Sequence, residues 1–451
     1  MAGSIDVKSK SGLDYTKAPV PREDRMSRFS LTMAWWGCCS AMFWLVLSAT
    51  LAEAYGTRDT LIGMVAAVFT YVLICRILNR YAIRTGVSVS LFSRLLFGTR
   101  GSALATLIFS MTATYYAVFE SSVIAMAATY QFPALSYHLA VFLVILISVP
   151  LVFGDVQTWL NKLNGILLPF YLAGLVALVW VAIAEYGYSN DWLTAPPSTP
   201  TDKNGWWNVW VSYLGVWTLI MVSFDYARFG KREDEAYHLS MNFGSLFWTV
   251  TFIVGGAIGI FIVKTLPMEG TISEASSVKA VIMLMGGLGL FWVWVTQTRI
   301  NSANFYMAVV NLCSFSRLSL RRPLSKAGSA LIIISIVYAL MLADIFHMLL
   351  VSLAYQGIFV VAWVAVAISH IVFNAPKESI DAPGLDDSAY PEYNAKGLTA
   401  WFVAVAIGII VMKIDAVSSF SAPATALSGF TLYWLLHLQP ALEKAKDDLA
   451  R

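Results

Sequence analysis

The sequence contains little charge. Only 13% of its 451 residues are Asp, Glu, Lys or Arg, about half the share that a soluble domain carries. Long stretches contain none of these four residue types: 29–52, 60–75, 163–184, 204–224, 236–263, 345–376 and 416–442. A helix needs about 20 mostly apolar residues to cross the hydrocarbon core of a bilayer. The scarcity of charge therefore excludes a soluble globular protein and predicts an all-α integral membrane protein.

The sequence also lacks the motifs of common enzymes. It has no Gly-x4-Gly-Lys-Ser/Thr loop for ATP and no Gly-x-Ser-x-Gly nucleophile turn. Its five histidines form no His-x3-His or Glu-x2-His pair, and its four cysteines lie in or beside apolar stretches, as small buried groups usually do. We therefore expect no enzyme, no cofactor and no metal site, and the net charge of +3 gives no sign of a nucleic-acid partner.

Twelve apolar segments qualify as membrane-spanning helices. The first 28 residues are polar and charged, and the apolar run that follows lacks a small-residue cleavage site, so 1–28 is predicted to be a tail rather than a secretory signal. A second tail is predicted at 441–451. The spans are placed at about 29–52, 59–79, 101–130, 137–154, 163–184, 206–228, 239–263, 278–311, 328–344, 346–373, 398–414 and 418–440.

The positions of the basic residues predict the orientation. With twelve spans, 24 of the 30 Lys and Arg residues fall on one side, five fall on the other, and Arg299 lies within a span. Loops with an excess of Lys and Arg face the cytoplasm. We therefore predict that both termini are cytoplasmic and that the protein lies in the plasma membrane, which is the inner membrane of a bacterial cell.

The two halves of the chain have a comparable layout. Spans one to five occupy 29–184, spans six to ten occupy 206–373, and two further spans occupy 398–440. The second set of five starts on the opposite side of the membrane, as in an inverted repeat. The first span of each half also contains glycine beside tryptophan, in Trp35-Trp36-Gly37 and Gly215-Val216-Trp217. Interrupted helices at matching positions of two repeats predict a binding site near the membrane midplane.

Several motifs, in this order, resemble the nucleobase:cation symporter family, which includes cytosine, hydantoin, uracil and allantoin permeases. The resemblance runs from Pro19 to about residue 440. The matching blocks lie in the cytoplasmic loop after the second span, at the end of the sixth span and in the eighth span. They are Arg84-Thr85-Gly86, Arg94-x2-Phe97-Gly98-x-Arg100-Gly101-Ser102, Asp225-Tyr226-Ala227-Arg228-Phe229-Gly230 and Ser302-Ala303-Asn304.

The resemblance implies a fold and a substrate site. The fold is five plus five inverted repeats with two trailing helices, which works by alternating access, with substrate between the first, third, sixth and eighth spans. Aligned without gaps, the family's substrate-facing positions become Ser40, Ala41, Tyr116, Glu120, Val216, Trp217 and Asn304.

The chemistry of these residues suits a flat nitrogen heterocycle. Tyr116 and Glu120 are four residues apart and therefore share a helix face. Tyr116 and Trp217 can stack on a ring, while Glu120 and Asn304 can supply hydrogen-bond donors and acceptors. The alternative readings are that Trp217 is a packing residue and that Asn304 joins two helices by a hydrogen bond.

Two charged residues depart from the family. Sodium-coupled relatives bind the ion with carbonyls that match Gly37 and Ser40 and with two hydroxyl positions of the eighth span. Those positions become Thr298 and Arg299, or Arg299 and Ile300 after a one-residue shift. Arginine accepts no hydrogen bond and keeps its proton, so we expect coupling to protons or no coupling.

Glu120 is the second departure, because relatives carry an amide or a small residue there. It is the candidate proton carrier. Two alternatives remain at this stage: Glu120 and Arg299 form a structural ion pair, or Glu120 recognises a cationic or amine-rich substrate.

The sequence thus predicts a secondary active transporter that imports a nucleobase, a related nitrogen heterocycle or a ureide. Its predicted partners are that small molecule, a coupling proton or sodium ion, and the lipid bilayer. A sodium-coupled symporter, a carrier of an amine or cationic vitamin-like compound, and a transporter-fold membrane receptor are the alternatives.

Overall fold

The protein is helical throughout the part that can be described. The computed structural model describes residues 18–153, 156–199, 204–268, 273–320, 323–343, 345–374 and 390–449, and every regular element within these ranges is a helix. Most of the predicted N-terminal tail and the last two residues of the C-terminal tail lie outside them.

The first half of the chain contains seven α-helices, six of which form the first five predicted spans. α1 and α2 together make the first span, α3 makes the second, and α5, α6 and α7 make the next three, while α4 is a short helix between the second and third. Their bounds are α1 Arg28–Trp36, α2 Phe43–Tyr55, α3 Thr57–Thr85, α4 Val89–Phe97, α5 Ser102–Gln131, α6 Tyr137–Phe153 and α7 Val156–Tyr186.

The remaining α-helices form the other seven predicted spans. α8 and α9 make the sixth, α10 to α12 make the seventh together with π-helical segments at His238–Asn242 and Thr249–Val254, and α13 to α17 make one span each. Their bounds are α8 Gly205–Leu214, α9 Thr218–Ala227, α10 Glu235–Tyr237, α11 Ser245–Trp248, α12 Gly255–Thr265, α13 Ser276–Ser319, α14 Lys326–Leu342, α15 Leu349–Phe373, α16 Ala395–Met412 and α17 Ser421–Leu449.

Helices therefore occupy the positions of all twelve predicted spans. Among the described residues, seven helices are long and apolar enough to cross a membrane, or nine if each of two bent pairs counts as one span. α4 was not predicted, because nine residues are too few for a span and it lies in a region read as loop. Ser88 caps its first turn by accepting a hydrogen bond from the Leu91 amide, and Gly98 ends it at a φ of 88°.

The first and sixth spans are both broken at the Gly/Trp segments noted in the sequence. α1 and α2 are bent by 40° around a 3₁₀ turn at Gly37–Ser40, and α8 and α9 are bent by 45°. The second break packs against α15 at very short range, since a Cβ atom on Gly357 would lie 2.5 Å from the Cα of Gly215. Each break leaves backbone groups without helical partners near the middle of its span.

α5 and α13 pack against each other along an extended interface. This packing sets the depth of the site residues along the two helices. The Asn301 amide donates to the Ser121 hydroxyl at 2.7 Å, and the Ser110 hydroxyl donates to the Ala308 carbonyl at 2.8 Å. The two helices therefore run antiparallel. In this register Tyr116 and Asn304 stand at about the same depth.

Candidate functional site

A cavity lies at the two helix breaks. It holds about 960 Å³ of space between atoms, counted together with the solvent at its open mouth. The broken spans and the α5–α13 pair supply nearly all of its wall. Its lining residues are Cys38, Ala41, Phe43, Trp44, Val89, Ser90, Phe109, Ala113, Tyr116, Glu120, Val216, Thr218, Leu219, Met221, Val222, Asp225, Ile300, Ala303, Asn304, Met307 and Asn311.

The cavity extends from the helix breaks toward the side on which α1 begins. Asn304 and Asn311 are both lining residues on α13, and seven residues of helix correspond to about 10 Å. Val89 and Asp225 also line the part of the cavity that lies toward this side, close to the loop motifs. By the predicted orientation this side is the cytoplasm, so the cavity has the shape of an inward-facing site.

Aromatic rings pack where the cavity ends on the opposite side. The ring of Phe43 contacts the rings of Tyr116 and Phe119 edge-on, at centroid distances of 5.4 and 5.2 Å. Phe119 stacks in turn on Phe346 at 4.8 Å. Beyond them, Lys264 donates to the Glu53 carboxylate at 2.7 Å and so ties the outer ends of α2 and α12 together. These contacts close the outer side of the site.

The polar groups of the cavity include an unpaired carboxyl group. Glu120 is 2% exposed, and its Oε2 atom has no hydrogen-bond partner among the described residues. The Tyr116 hydroxyl accepts from the Gln356 amide at 3.3 Å and so keeps its own proton available. Asn304 lines the cavity at the level of Tyr116. None of the described lining residues is Lys, Arg or His, so the cavity wall offers Glu120 no cationic partner.

Arg299 lies behind this cavity and bonds to the first helix break. Its Nη1 atom donates to the Gly37 carbonyl at 2.8 Å and to the Ser40 hydroxyl at 3.1 Å. The guanidinium lies so close that a Cβ atom on Gly37 would be 1.8 Å from Nη2. Thr298, the other predicted ion-site residue, is half-buried. In the described part of the chain its side chain makes no hydrogen bond to Gly37, Ser40 or Arg299.

Glu120 and Arg299 share no ion pair in the described residues. The guanidinium instead donates to Gly37 and Ser40, in the 3₁₀ turn between α1 and α2.

Gln297 is a site residue that sequence reasoning missed. Its Oε1 atom accepts from the Met42 amide at 3.0 Å, and its Nε2 atom donates to the Ser40 carbonyl at 3.3 Å. It thus satisfies backbone groups that the break in the first span leaves open. A glutamine within an otherwise apolar span was the available signal.

The predicted stacking residues divide in the structure. Tyr116 lines the cavity, as do Ala41 and Val216, but Trp217 does not. Trp217 is 4% exposed within the hydrophobic core. Its neighbours Val216 and Thr218 take the cavity-facing side of the turn, which directs the indole the other way.

Phe43 and Trp44 are cavity residues that sequence reasoning missed. Both line the cavity, and Trp44 is fixed by a hydrogen bond from its indole N–H to the Cys38 carbonyl at 3.2 Å. The family alignment stopped at Ala41, and only the position of the helix break turns these two rings inward.

The loop motif that the sequence predicts to be cytoplasmic forms a network next to the mouth of the cavity. Arg84 makes two hydrogen bonds to Glu235, at 2.8 and 3.0 Å, and Gly86 ends α3 at a φ of 77°. The Asp225 carboxylate accepts from the Val89 amide at 2.8 Å and so anchors α4 to α9. The Arg228 Nε donates to the Asp225 carbonyl at 3.1 Å.

The second block of the motif joins α4 and α5 to the segment before α16. The Arg100 amide donates to the Glu392 carbonyl at 2.8 Å, and the two side chains form an ion pair at 3.3 Å. The tight turn at Gly98 lets residues 391–394 approach, because a Cβ atom there would lie 2.7 Å from their backbone. Arg94 lies half-buried on α4 beside this junction.

Arg25 completes this network and was not predicted. Its Nη1 atom donates to the carbonyls of Ile83 and Gly230, both at 2.7 Å, and its Nε donates to Val20. Burial, aided by the charge of neighbouring arginines, lowers the pKa of Arg25 to about 10. Arg25 therefore stays protonated at neutral pH and holds the ends of the second and sixth spans to the N-terminal segment.

The sequence itself matches no family model and no curated protein. The structure matches the inward-facing conformation of Mhp1 with a TM-score of 0.75 and 15% identity over 96% of this chain and 94% of that chain. It matches Mhp1, a nucleobase-cation-symport-1 family transporter, in a closed conformation with bromovinylhydantoin bound, at 0.73 and 16% identity over 96% of both chains. A substrate-bound, outward-open Na⁺-coupled sialic acid symporter matches at 0.54 and 11% identity over 92% of this chain and 90% of that chain.

These matches show the fold. The chain is a multi-pass membrane protein with the predicted inverted-repeat transporter fold and two further C-terminal helices, and this prediction is confirmed. The boundaries of the two repeats, at 29–184 and 206–373, stay a prediction.

Proposed function

We propose that this chain is a secondary active transporter of the nucleobase:cation symporter family that imports a nucleobase or a related nitrogen heterocycle or ureide. The observation that carries the proposal is the cavity at the two helix breaks, where aromatic rings, Glu120 and Asn304 face one space. A flat ring needs stacking faces and a few directed polar groups. The motifs at Arg84, Asp225 and Ser302 and the fold of Mhp1, one structure of which holds bromovinylhydantoin, support the same family.

We further propose that the coupling ion is a proton and not sodium. The support is that Arg299 donates to the Gly37 carbonyl and Gln297 donates to the Ser40 carbonyl, the two carbonyls that a sodium ion would need there. Two like charges 4 Å apart repel by about 4 kcal/mol at an effective dielectric of 20, which corresponds to roughly a thousandfold loss of affinity. Arg299 acts as a tethered cation at the first break, and Glu120 carries the proton.

A thermal-shift screen of the purified protein tests the substrate class. The panel contains nucleobases, hydantoins, allantoin, thiamine-like cations and small amines. We expect a nitrogen heterocycle or ureide to raise Tm, because a ligand that binds only the folded state stabilises it. Stabilisation by amines or thiamine-like cations alone would contradict the proposed substrate class and favour the alternative carrier.

A further inference from the structure

Glu120 lies near the closed end of the cavity, away from its mouth, and no described residue bonds its buried Oε2 atom. Its side chain is 2% exposed, its Oε2 atom has no partner among the described residues, and Glu120 lines the cavity. An ionised carboxylate buried without a partner is far more costly than a neutral carboxyl group. The cavity therefore favours a protonated Glu120 until a ligand or water reaches it.

A protonated carboxyl group has the hydrogen-bonding pattern of a carboxamide. It offers one O–H donor beside one carbonyl acceptor, whereas an ionised carboxylate offers acceptors only. A ring that carries an N–H next to a C=O, the lactam or imide edge, matches the protonated form with two parallel hydrogen bonds. If the same edge met an ionised carboxylate, the ring carbonyl oxygen would face a negatively charged oxygen and be repelled by it.

The groups around this position complete a site for such a ring. Asn304 lines the cavity at the level of Tyr116, about one helical turn from Glu120, and can bond a second polar edge of the ring. Phe43 and Trp44 line the same cavity and offer apolar ring faces to the substrate ring. Among the described residues, the ionisable groups in or near this region include the phenols of Tyr116 and Tyr171, the thiols of Cys38 and Cys39, the guanidinium of Arg299 and, at the far end of the cavity, Asp225.

None of those neighbours supplies a competing ion pair. The Arg299 guanidinium is held on the Gly37 carbonyl and the Ser40 hydroxyl, and Asp225 accepts from the Val89 amide. Glu120 is therefore the group of the binding region whose proton can change when a ligand arrives.

We infer that the coupling proton is itself part of the recognition surface: protonated Glu120 binds the lactam or imide edge of the substrate, so the ring binds only together with the proton. This inference rests on the proposed function and names its substrate edge. Proton and substrate then enter together, because loss of the proton removes the donor that holds the ring carbonyl. Release of the Glu120 proton to the cytoplasmic side would then lower the affinity for the ring and favour its release on that side.

Binding measured against pH tests the inference. The probes are uracil, hypoxanthine and hydantoin, which carry a lactam or imide edge, and purine and pyrimidine, which are matched rings without it. For the wild type we expect the affinity for the first group to be constant at about pH 5 and to fall by up to tenfold per pH unit above the pH at which Glu120 ionises in the empty site. Glu120→Gln keeps the donor and acceptor pair without a proton, so its affinity should be flat and should exceed that of the wild type above that pH.

Proton counting in the wild type gives a readout that needs no variant. Calorimetry in buffers of different ionisation enthalpy should show uptake approaching one proton per bound ring above the pH at which Glu120 ionises in the empty site, and none at about pH 5. Lactam rings that bind with unchanged affinity up to about pH 9, the upper end for buried carboxyl groups, and with no proton uptake would overturn the inference and leave the proposed function standing. Failure of all five probes to bind at any pH would overturn the inference together with the proposed nucleobase substrate.

Discussion

Arg299 is the residue that most distinguishes this site. It is 1% exposed, and its guanidinium donates to a carbonyl and a hydroxyl of the broken first span. Gly37 has no side chain where the guanidinium lies, so the two residues depend on each other. The sequence already showed that an arginine stands at this position of the eighth span, but only the structure shows which groups it contacts.

Replacement of Arg299 by threonine should create a sodium response. Arg299→Thr removes the fixed charge and supplies a hydroxyl near the Gly37 carbonyl and the Ser40 hydroxyl. We expect sodium, compared with choline at equal ionic strength, to raise the Tm of this variant and to leave that of the wild type unchanged. Thr298→Ala is the matched control and should behave like the wild type. A saturable sodium-induced rise in the wild-type Tm would contradict the assignment of Arg299 as a tethered cation.

Trp44, rather than Trp217, should carry the stacking contribution. Trp44→Ala should weaken binding of the heterocycle by about 1–3 kcal/mol, by analogy with base stacking on aromatic residues, because Trp44 lines the cavity. Trp44→Phe keeps a ring and should retain most of the affinity. Trp217→Phe tests the sequence prediction in parallel, since Trp217 lies in the core outside the lining. Titration of each folded variant would decide, and a loss confined to Trp217→Phe would restore the original assignment.

At the scale of elements, hydrophobic runs predicted the helices better than the contacts between them. The apolar segments predicted helices at all twelve positions, because a bilayer leaves the backbone few alternatives. α4 escaped prediction, since a short helix in a charged loop has no span-length signal. The hydrogen bonds of Gln297 to the first helix break and the side to which Trp217 points were not predicted either, because both depend on where the helices bend. Tyr116, Glu120 and Asn304 were predicted to face one site, and all three line the cavity.

The contact between the sixth-span break and α15 should be intolerant of a methyl group. Gly357→Ala places a Cβ atom 2.5 Å from the Cα of Gly215, so the helices must separate. Overpacking of this kind costs about 1–3 kcal/mol, and we expect a lower Tm and slower transport. Gly287→Ala is the matched control on a helix, because a Cβ atom there meets nothing within 4 Å. Equal Tm values for the two variants would contradict the close approach of the two backbones.

At the scale of the whole molecule, the orientation follows from charge. Most basic residues collect on the side where α1 begins, and several of them build the network of Arg25, Arg84 and Arg100. The cavity opens toward the same side. The fold itself carries no sign of which side is the cytoplasm, so this step depends on the positive-inside rule.

Labelling of introduced cysteines tests the orientation. Lys10→Cys should resist a membrane-impermeant maleimide added to intact cells, whereas Ser189→Cys, an exposed residue in the loop after α7, should react. The four native cysteines are buried and should give little background. After the cells are opened, Lys10→Cys should react as well. The reverse pattern in intact cells would overturn the cytoplasmic assignment of the termini.

Uptake into proteoliposomes tests the central claim most directly. Purified protein is reconstituted, and uptake of the radiolabelled heterocycle that gives the largest thermal shift is followed under an imposed proton gradient or an imposed sodium gradient. The account predicts accumulation above the outside concentration with the proton gradient, its loss on addition of a protonophore, and no effect when choline replaces sodium at constant pH. Accumulation driven by the sodium gradient and insensitive to the protonophore would contradict it.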